Sequence, residues 1–260
     1  MVQLKYFGDY RDFFKYDLIT SVVAASSLNK YVFVPMLTEH RFDNEGKKAP
    51  RYAGGKSKEL LTFINRCPSK SLTHWEKWLS SSRVDSYETI NPPDTIFFSD
   101  DEREQYWRIF KPLLGRENAL VFLDPDTGLE TGTPSYLSKM GREKYILDKE
   151  TEFLYKQLES SSLLMIYQHL PNNKNIHLDS VRKKLSQLQS ASGGSLVCAY
   201  REDDLAFLFL SKDPRLFDEL CNILNAYHVN SHHKLKSLHL PSSYTLKPAP
   251  EAGAVLGGSN

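Results

Sequence analysis

Cysteine is scarce in this chain. Cys67, Cys198 and Cys221 are odd in number and unclustered among 260 residues. They read as buried, reduced thiols of a cytosolic protein, not as a disulfide framework. Long apolar runs are missing as well. None approaches the roughly 18 residues of a membrane span, and the N-terminus has no apolar signal core. The expectation is a soluble cytoplasmic protein that does not engage a membrane. An excess of charge is also absent. With 33 Lys and Arg against 32 Asp and Glu, the net charge is +1, so no global field draws the chain to nucleic acid. A local basic patch stays open. There is no internal repeat. What remains is ordinary for a globular protein, 40% hydrophobic and 25% charged, and a real core is expected. One domain over residues 1–240 with a flexible tail over 241–260 fits this composition.

The most informative stretch is 119–131, ALVFLDPDTGLET. Its apolar run, Leu120-Val121-Phe122-Leu123, predicts a strand covered on both faces. Pro125 cannot donate to a ladder and should end it. Asp124, Asp126 and Glu130 then gather at the carboxyl end of the strand, where ligands bind in open α/β sheets.

Around it the chain alternates. Phe14, Leu18 and Val22 recur at helical spacing, with Asp9 or Asp12 as N-cap or first-turn acid. Residues 31–37 read as a strand that bends or ends at Pro35, followed by Thr38 and Glu39. A polar loop covers 41–58. A helix starts near Ser57, a short amphipathic helix carries Trp75 and Trp78, and 95–98 is a brief strand. Asp100 and Asp101 cap a helix from about 102 to 114, ended by Gly115. Residues 132–150 read as another polar loop. A helix around Leu154 follows, then a second buried strand at 162–167 that delivers Gln168 and His169. A basic helix covers 176–189. Strands at 196–200 and 205–210 are joined so tightly that they form an antiparallel hairpin. A last helix spans 214–227. Alternation implies βαβ crossovers, hence an α/β fold with a mostly parallel sheet, a terminal hairpin and helices on both faces.

This arrangement resembles the Rossmann-like fold of S-adenosylmethionine-dependent methyltransferases. The opening Gly8-Asp9-Tyr10-Arg11-Asp12-Phe13-Phe14-Lys15-Tyr16 is similar to the Gly-Asn-Phe-Ala-Asp-Val-Leu-Lys-His segment of the RlmJ type of large-subunit rRNA adenine methyltransferases. Gly8, Asp12 and Lys15 match in register. Asp124-Pro125 looks like that family's Asp-Pro-Pro-Tyr motif. The chain also resembles a bacterial protein group with a Gly-Asp-x-x-Asp-x-x-Lys-Tyr opening and an Asp-Pro-Asp-x-Gly-Leu-Glu turn. The resemblance covers residues 5–20 and 115–210. It implies S-adenosylmethionine as cofactor and nucleic acid, or a nucleotide-like ligand, as partner. Gly8, Asp9, Asp12, Lys15, Thr38, Glu39 and Gln168 would then line the cofactor side, and Asp124 would orient a target amino group. In two places the chain departs from the pattern. Asp126 stands where the motif has its second Pro, with Thr127 or Gly128 for its aromatic. The segment 36–40 has no glycine.

Asp126 in place of Pro favours a second reading. Asp124, Asp126 and Glu130 would hold Mg²⁺ or Mn²⁺ in a metal-dependent nuclease or phosphodiesterase, with His169 or Lys15 assisting. A plain turn in which Glu130 caps a helix or pairs with a lysine is the competing account of the same residues. The missing glycine favours a third reading, an inactive nucleotide-binding module. A calcium loop fails on spacing. A phosphate loop at Gly54-Gly55-Lys56-Ser57 lacks the glycine needed where Pro50 stands, although backbone amides at that helix start could hold an anion. His228, His232, His233 and His239 read as solvated tail histidines. Lys174, Arg182, Lys183 and Lys184 read as a solvated helix face that could also meet phosphates.

Overall fold

A computed structural model describes residues 8–38, 56–66, 77–79, 85–88, 98–241 and 244. The chain opens with helix α1 (Tyr10–Ala25) and strand β1 (Lys30–Pro35), then helix α2 (Lys58–Arg66) and strand β2 (Ser86–Glu88). Helix α3 (Arg103–Leu114) leads to β3 (Ala119–Asp124) and the short β4 (Gly128–Leu129), α4 (Pro134–Met140) and β5 (Tyr145–Ile146). Then come α5 (Asp148–Gln157), β6 (Leu163–His169), α6 (His177–Ala191), β7 (Leu196–Glu202), β8 (Leu205–Ser211), α7 (Pro214–Asn230) and β9 (Lys236–His239).

Seven of these strands form one sheet in the order β2-β1-β3-β6-β8-β7-β9. β2, β1, β3 and β6 are mutually parallel. β8 runs antiparallel between β6 and β7, and β9 pairs antiparallel with β7 at the edge. This is a Rossmann-like α/β sheet with a reversed strand inserted by the expected hairpin.

Strand periodicity divides the core. Tyr31, Phe33, Leu120, Phe122, Met165, Tyr167 and Phe207 pack against α1, α2 and α7 on one face. Val32, Val34, Val121, Leu123, Ile166 and Leu208 pack against α3, α5 and α6 on the other. Successive strand side chains point to opposite faces, so a strand covered on both sides must be apolar throughout. β3 meets that demand from Ala119 to Leu123 and ends on a buried Asp124. Phe33 stacks on Phe122 across the β1–β3 pair, centroids 5.8 Å apart.

Local chemistry sets the helix ends. Asp9 caps α1, its side chain accepting from the amides of Arg11 and Asp12, which satisfies two otherwise orphaned donors. Asp213 caps α7 by accepting the Arg215 amide, with Pro214 opening the helix where its missing N–H is harmless.

Several expectations are corrected. Residues 132–150 are not a loop: they hold α4, a single 3₁₀ turn and β5. β2 and β9 are not anticipated, because three or four half-buried residues carry no strong pattern. The 162–167 strand runs on to His169. Asp100 does not cap α3; it pairs with Arg103 and Arg142. His239 is not a solvated tail residue but sits on β9, bonded to Ser237. Trp75 and most of the expected 95–98 strand lie outside the described residues, as does Cys67. Cys198 and Cys221 are buried and reduced. Tyr244, in the expected tail, rests edge-on against Phe217. No helix among the described residues is long and apolar enough to cross a membrane.

Candidate active site

The site is built where α1 crosses the carboxyl ends of β3 and β6. The register pairs Leu123 with Ile166, so Asp124 and Tyr167 are the next neighbours. Alternation turns Phe122, Asp124, Tyr167 and His169 toward the α1 face. There the Lys15 ammonium donates to Asp12 Oδ1 at 2.9 Å and to Asp124 Oδ2 at 2.6 Å. Tyr167, Tyr16 and Phe122 surround it, with ring centroids 5.3, 5.8 and 6.0 Å from Nζ. Asp12 Oδ2 accepts the Gly8 amide at 3.0 Å. Gly8 has φ +80, a backbone conformation that glycine adopts freely.

Burial dominates the electrostatics here. It works against the Lys15 charge, but Asp12 and Asp124 outweigh it and hold the ammonium above its usual pKa. Burial also pushes Asp124 above the ordinary carboxylate range, with Lys15 opposing. Asp9 is raised to about 6 by burial and then by the neighbouring Asp12. Asp124 Oδ1 is buried and has no hydrogen-bond partner among the described residues. Such an oxygen is costly to leave unmatched, and it fits a ligand that brings an N–H or O–H donor.

Glu130 is engaged elsewhere. It accepts the Asp148 amide at 2.8 Å at the start of α5, which is the helix-capping role weighed above. Asp126 is buried, and the raised pKa of Tyr145 comes first from burial and then from Tyr136, with Asp126 adding little. Among the described residues no group of three His, Cys, Asp or Glu is placed to hold a metal.

Gln168 points the other way, into the turn itself. Its Oε1 accepts the Leu129 amide at 3.0 Å, and its Nε2 donates to the carbonyls of Thr127 and His169 at 3.2 and 2.9 Å. The side chain is a clamp on 127–129. Gly128 makes room for it: at φ +130, a Cβ there would lie 2.4 Å from Oε1.

His169 belongs to an array whose other members the sequence reading left out. Its Nε2 lies 3.4 Å from Asp204 Oδ2, in the β7–β8 turn. The same oxygen receives Arg11 Nη2 at 2.5 Å, and Arg11 Nε donates to the Tyr10 hydroxyl at 3.1 Å. Burial disfavours the Asp204 charge, yet the His169 and Arg11 contacts prevail and hold it well below the usual carboxylate range. The one sequence signal for Arg11 was its i,i+4 spacing from Lys15, which puts both on one helix face.

Thr38 is buried just past β1, and Glu39 lies outside the described residues. Lys56 is not placed to hold an anion. It pairs with Glu202 at 2.6 Å, and the Ser57 amide donates to Asp17 Oδ1 at 2.8 Å. Gly54 and Gly55 lie outside the described residues. Of the basic residues expected on a solvated face, Lys174, Arg182 and Lys183 are exposed and Lys184 is not. Lys184 turns inward to the carbonyls of Leu129 and Glu130, Lys174 pairs with Asp203, and Arg182 with Asp179.

Neither a protein-family model nor a curated protein matches this chain.

Proposed function

We propose that the chain is a methyltransferase-like protein that takes S-adenosylmethionine and acts on an amino group of nucleic acid. The observation that carries this reading is the Lys15–Asp124 contact. It ties the Gly8–Lys15 opening to the Asp124-Pro125 turn, the two segments on which the resemblance rests. The reversed strand β8 between β6 and β7 also agrees with it.

Bound beside Gly8, Asp9 and Thr38, S-adenosylmethionine would supply an electrophilic methyl group. This chain's residues do the rest. Lys15 pins Asp124 Oδ2 and leaves Oδ1 to accept an N–H of the target amine. That hydrogen bond turns the amine and its lone pair to a fixed direction, which is where positioning lowers a barrier. Transfer of that methyl to the nitrogen would leave the bonding pair on sulfur and release the amine's surplus proton to solvent.

The metal-dependent cleavage reading draws on Asp124, Asp126 and Glu130 together, and Glu130 instead accepts the Asp148 amide at the start of α5. The methyl-transfer reading is therefore the better supported. Calorimetry with S-adenosylmethionine and S-adenosylhomocysteine tests it. Saturable heat from both is expected. No heat from either at high micromolar concentration removes the reading, and a protein that binds both but transfers no methyl group to RNA or DNA fits the inactive nucleotide-binding module.

A further inference from the structure

Arg201 is a buried charge without a counter-ion. It alternates with Ala199 and Val197 on β7, so its side chain leaves the sheet on the face that α6 covers. The residue is 7% exposed. Nε donates to Ser237 Oγ at 2.9 Å, and Nη1 lies 3.3 Å from both His177 Nδ1 and the Asp203 carbonyl. His177 Nε2 lies 2.6 Å from the Pro171 carbonyl, so it carries the hydrogen and Nδ1 accepts from Arg201. All three acceptors are neutral. Among the described residues Nη2 makes no hydrogen bond and the guanidinium makes no ion pair. A buried cation left unpaired is costly, and it fits an anion brought from outside.

The neighbours of Arg201 present donors as well. Arg201 stands opposite Ser237 in the β7–β9 ladder, and Ala199 opposite His239, so Ser237 and His239 share its face. Ser237 Oγ takes the Arg201 Nε–H and lies 2.9 Å from His239 Nε2, the one acceptor among the described residues that its hydroxyl hydrogen meets. The hydroxyl therefore donates to Nε2, and the neutral ring carries its proton on Nδ1. That Nδ1–H has no acceptor among the described residues. Burial pushes His239 down to about 4, and the like charges of Arg182 and then Arg201 add to it. Two guanidinium groups thus face one imidazole. The Arg182 side chain, on α6, is 68% exposed and pairs with an equally exposed Asp179 at 3.3 Å, a contact of little strength. Asp203, the carboxylate that opposes the effect of burial on Arg201, is matched by Lys174 at 3.0 Å.

We propose that Arg201 Nη2, the Arg182 guanidinium and the His239 Nδ1–H form a binding site for a phosphate group on the α6 side of the β7–β9 edge. Each of these groups is a donor, which excludes a cation and selects an oxyanion. They come from β7, α6 and β9, so a tetrahedral phosphate can give each a different oxygen, whereas a carboxylate has only two. The site does not depend on the methyl-transfer reading. It meets the candidate active site only at the β7–β8 turn, where the Asp203 carbonyl accepts from Arg201 and the Asp204 carboxylate holds Arg11. A small phosphate ligand and a nucleic-acid backbone offer the same chemistry, and the test separates them.

The test is calorimetry of the full chain with inorganic phosphate, adenosine 5′-monophosphate and an oligothymidylate that has no terminal phosphate. Saturable binding of at least one is expected. Tighter binding of the first two assigns the site to a small phosphate ligand, and tighter binding of the oligonucleotide assigns it to a backbone phosphate. Arg201 also holds His177 and Ser237, so the exposed Arg182 carries the test. Arg182→Gln should weaken binding about tenfold, the loss of one charge-assisted hydrogen bond, and His239→Leu about fivefold. Lys183→Gln, which removes the same charge from the next position of α6, should change it less than about twofold. The imidazole ¹⁵N resonances of His239 should shift along the same titration. No saturable binding of any probe up to about 10 mM, equal losses in Arg182→Gln and Lys183→Gln, or a His239 that does not respond overturns the site.

Discussion

Lys15 and Asp124 stand 109 positions apart in the chain and meet at 2.6 Å, with neither side chain more than 6% exposed. A pair this deep gains its attraction at the expense of two desolvations, so its net contribution is small. Removing one partner is a different matter. Lys15→Met leaves Asp124 and Asp12 without their cation, and a loss of about 3–5 kcal/mol is expected. Replacing Asp124 by Leu in the same chain should recover part of it. Urea denaturation of the two single variants and the double variant measures the coupling, and additive losses would show that the contact is energetically empty.

Asp9 makes stability depend on pH with a definite sign. Burial and the neighbouring Asp12 let its carboxyl hold a proton to about 6 in the native state, against roughly 3.9 for a free aspartate. Between those values the native state binds more proton than the unfolded one, so stability falls as pH rises from about 4 to about 6. The Asp9 contribution to that fall is on the order of 3 kcal/mol. Asp9→Asn keeps a good N-cap and carries no charge. It should flatten the slope over this window and stabilise the protein above pH 6. Chemical denaturation at a series of pH values is the check.

The framework was legible because its signals are local. β3 is apolar from Ala119 to Leu123, as both its faces are covered, and the 203–204 connection can only be a hairpin turn. The site was half legible. Lys15 and Asp124 could be named from motif spacing, but Asp204 could not. It sits in a turn whose Arg-Glu-Asp-Asp sequence reads as solvent-facing, and only the fold brings it to Arg11, 193 positions away. Glu130 was legible only as two alternatives, a metal ligand or a helix cap. A third carboxylate so close in sequence suggested a shared ligand, whereas the strand pairing of β4 with β5 carries it to the α5 terminus. β2, β4, β5 and β9 are held by partners distant in the chain, so their own residues need not advertise a strand.

Gly128 is expected to be intolerant of any side chain. Its φ of +130 disfavours L-residues, and a Cβ would fall 2.4 Å from the Gln168 amide. Gly128→Ala should cost roughly 2–4 kcal/mol from backbone strain and loss of the Gln168 clamp. Gln168→Ala in the same chain should relieve the collision but not the backbone strain, so the double variant stays well below wild type. Thermal unfolding of the three variants reads this directly, and a neutral Gly128→Ala would show that the turn opens easily.

Glu202 is the hub of a second buried network, away from the candidate site. Its Oε2 receives Lys56 at 2.6 Å, while Oε1 receives the hydroxyls of Tyr200 and Ser231 at 2.9 and 2.6 Å. Close by, Asp17 accepts the Ser57 amide and the Tyr227 hydroxyl at 2.8 and 2.6 Å. Two carboxylates thereby join α1, the start of α2, β7 and α7. A network with every member bonded is rigid, and partial loss is worse than an apolar replacement. Glu202→Gln keeps the shape but loses the charge that Lys56 faces, leaving an ammonium 8% exposed without its counter-ion. The expected loss is about 3 kcal/mol, and Lys56→Met combined with Glu202→Gln should restore much of it. Hydrogen exchange at the Ser57 amide supplies the local readout: protection should drop in Glu202→Gln and return in the double variant. Unchanged protection in the single variant would mean that Asp17 alone anchors the start of α2.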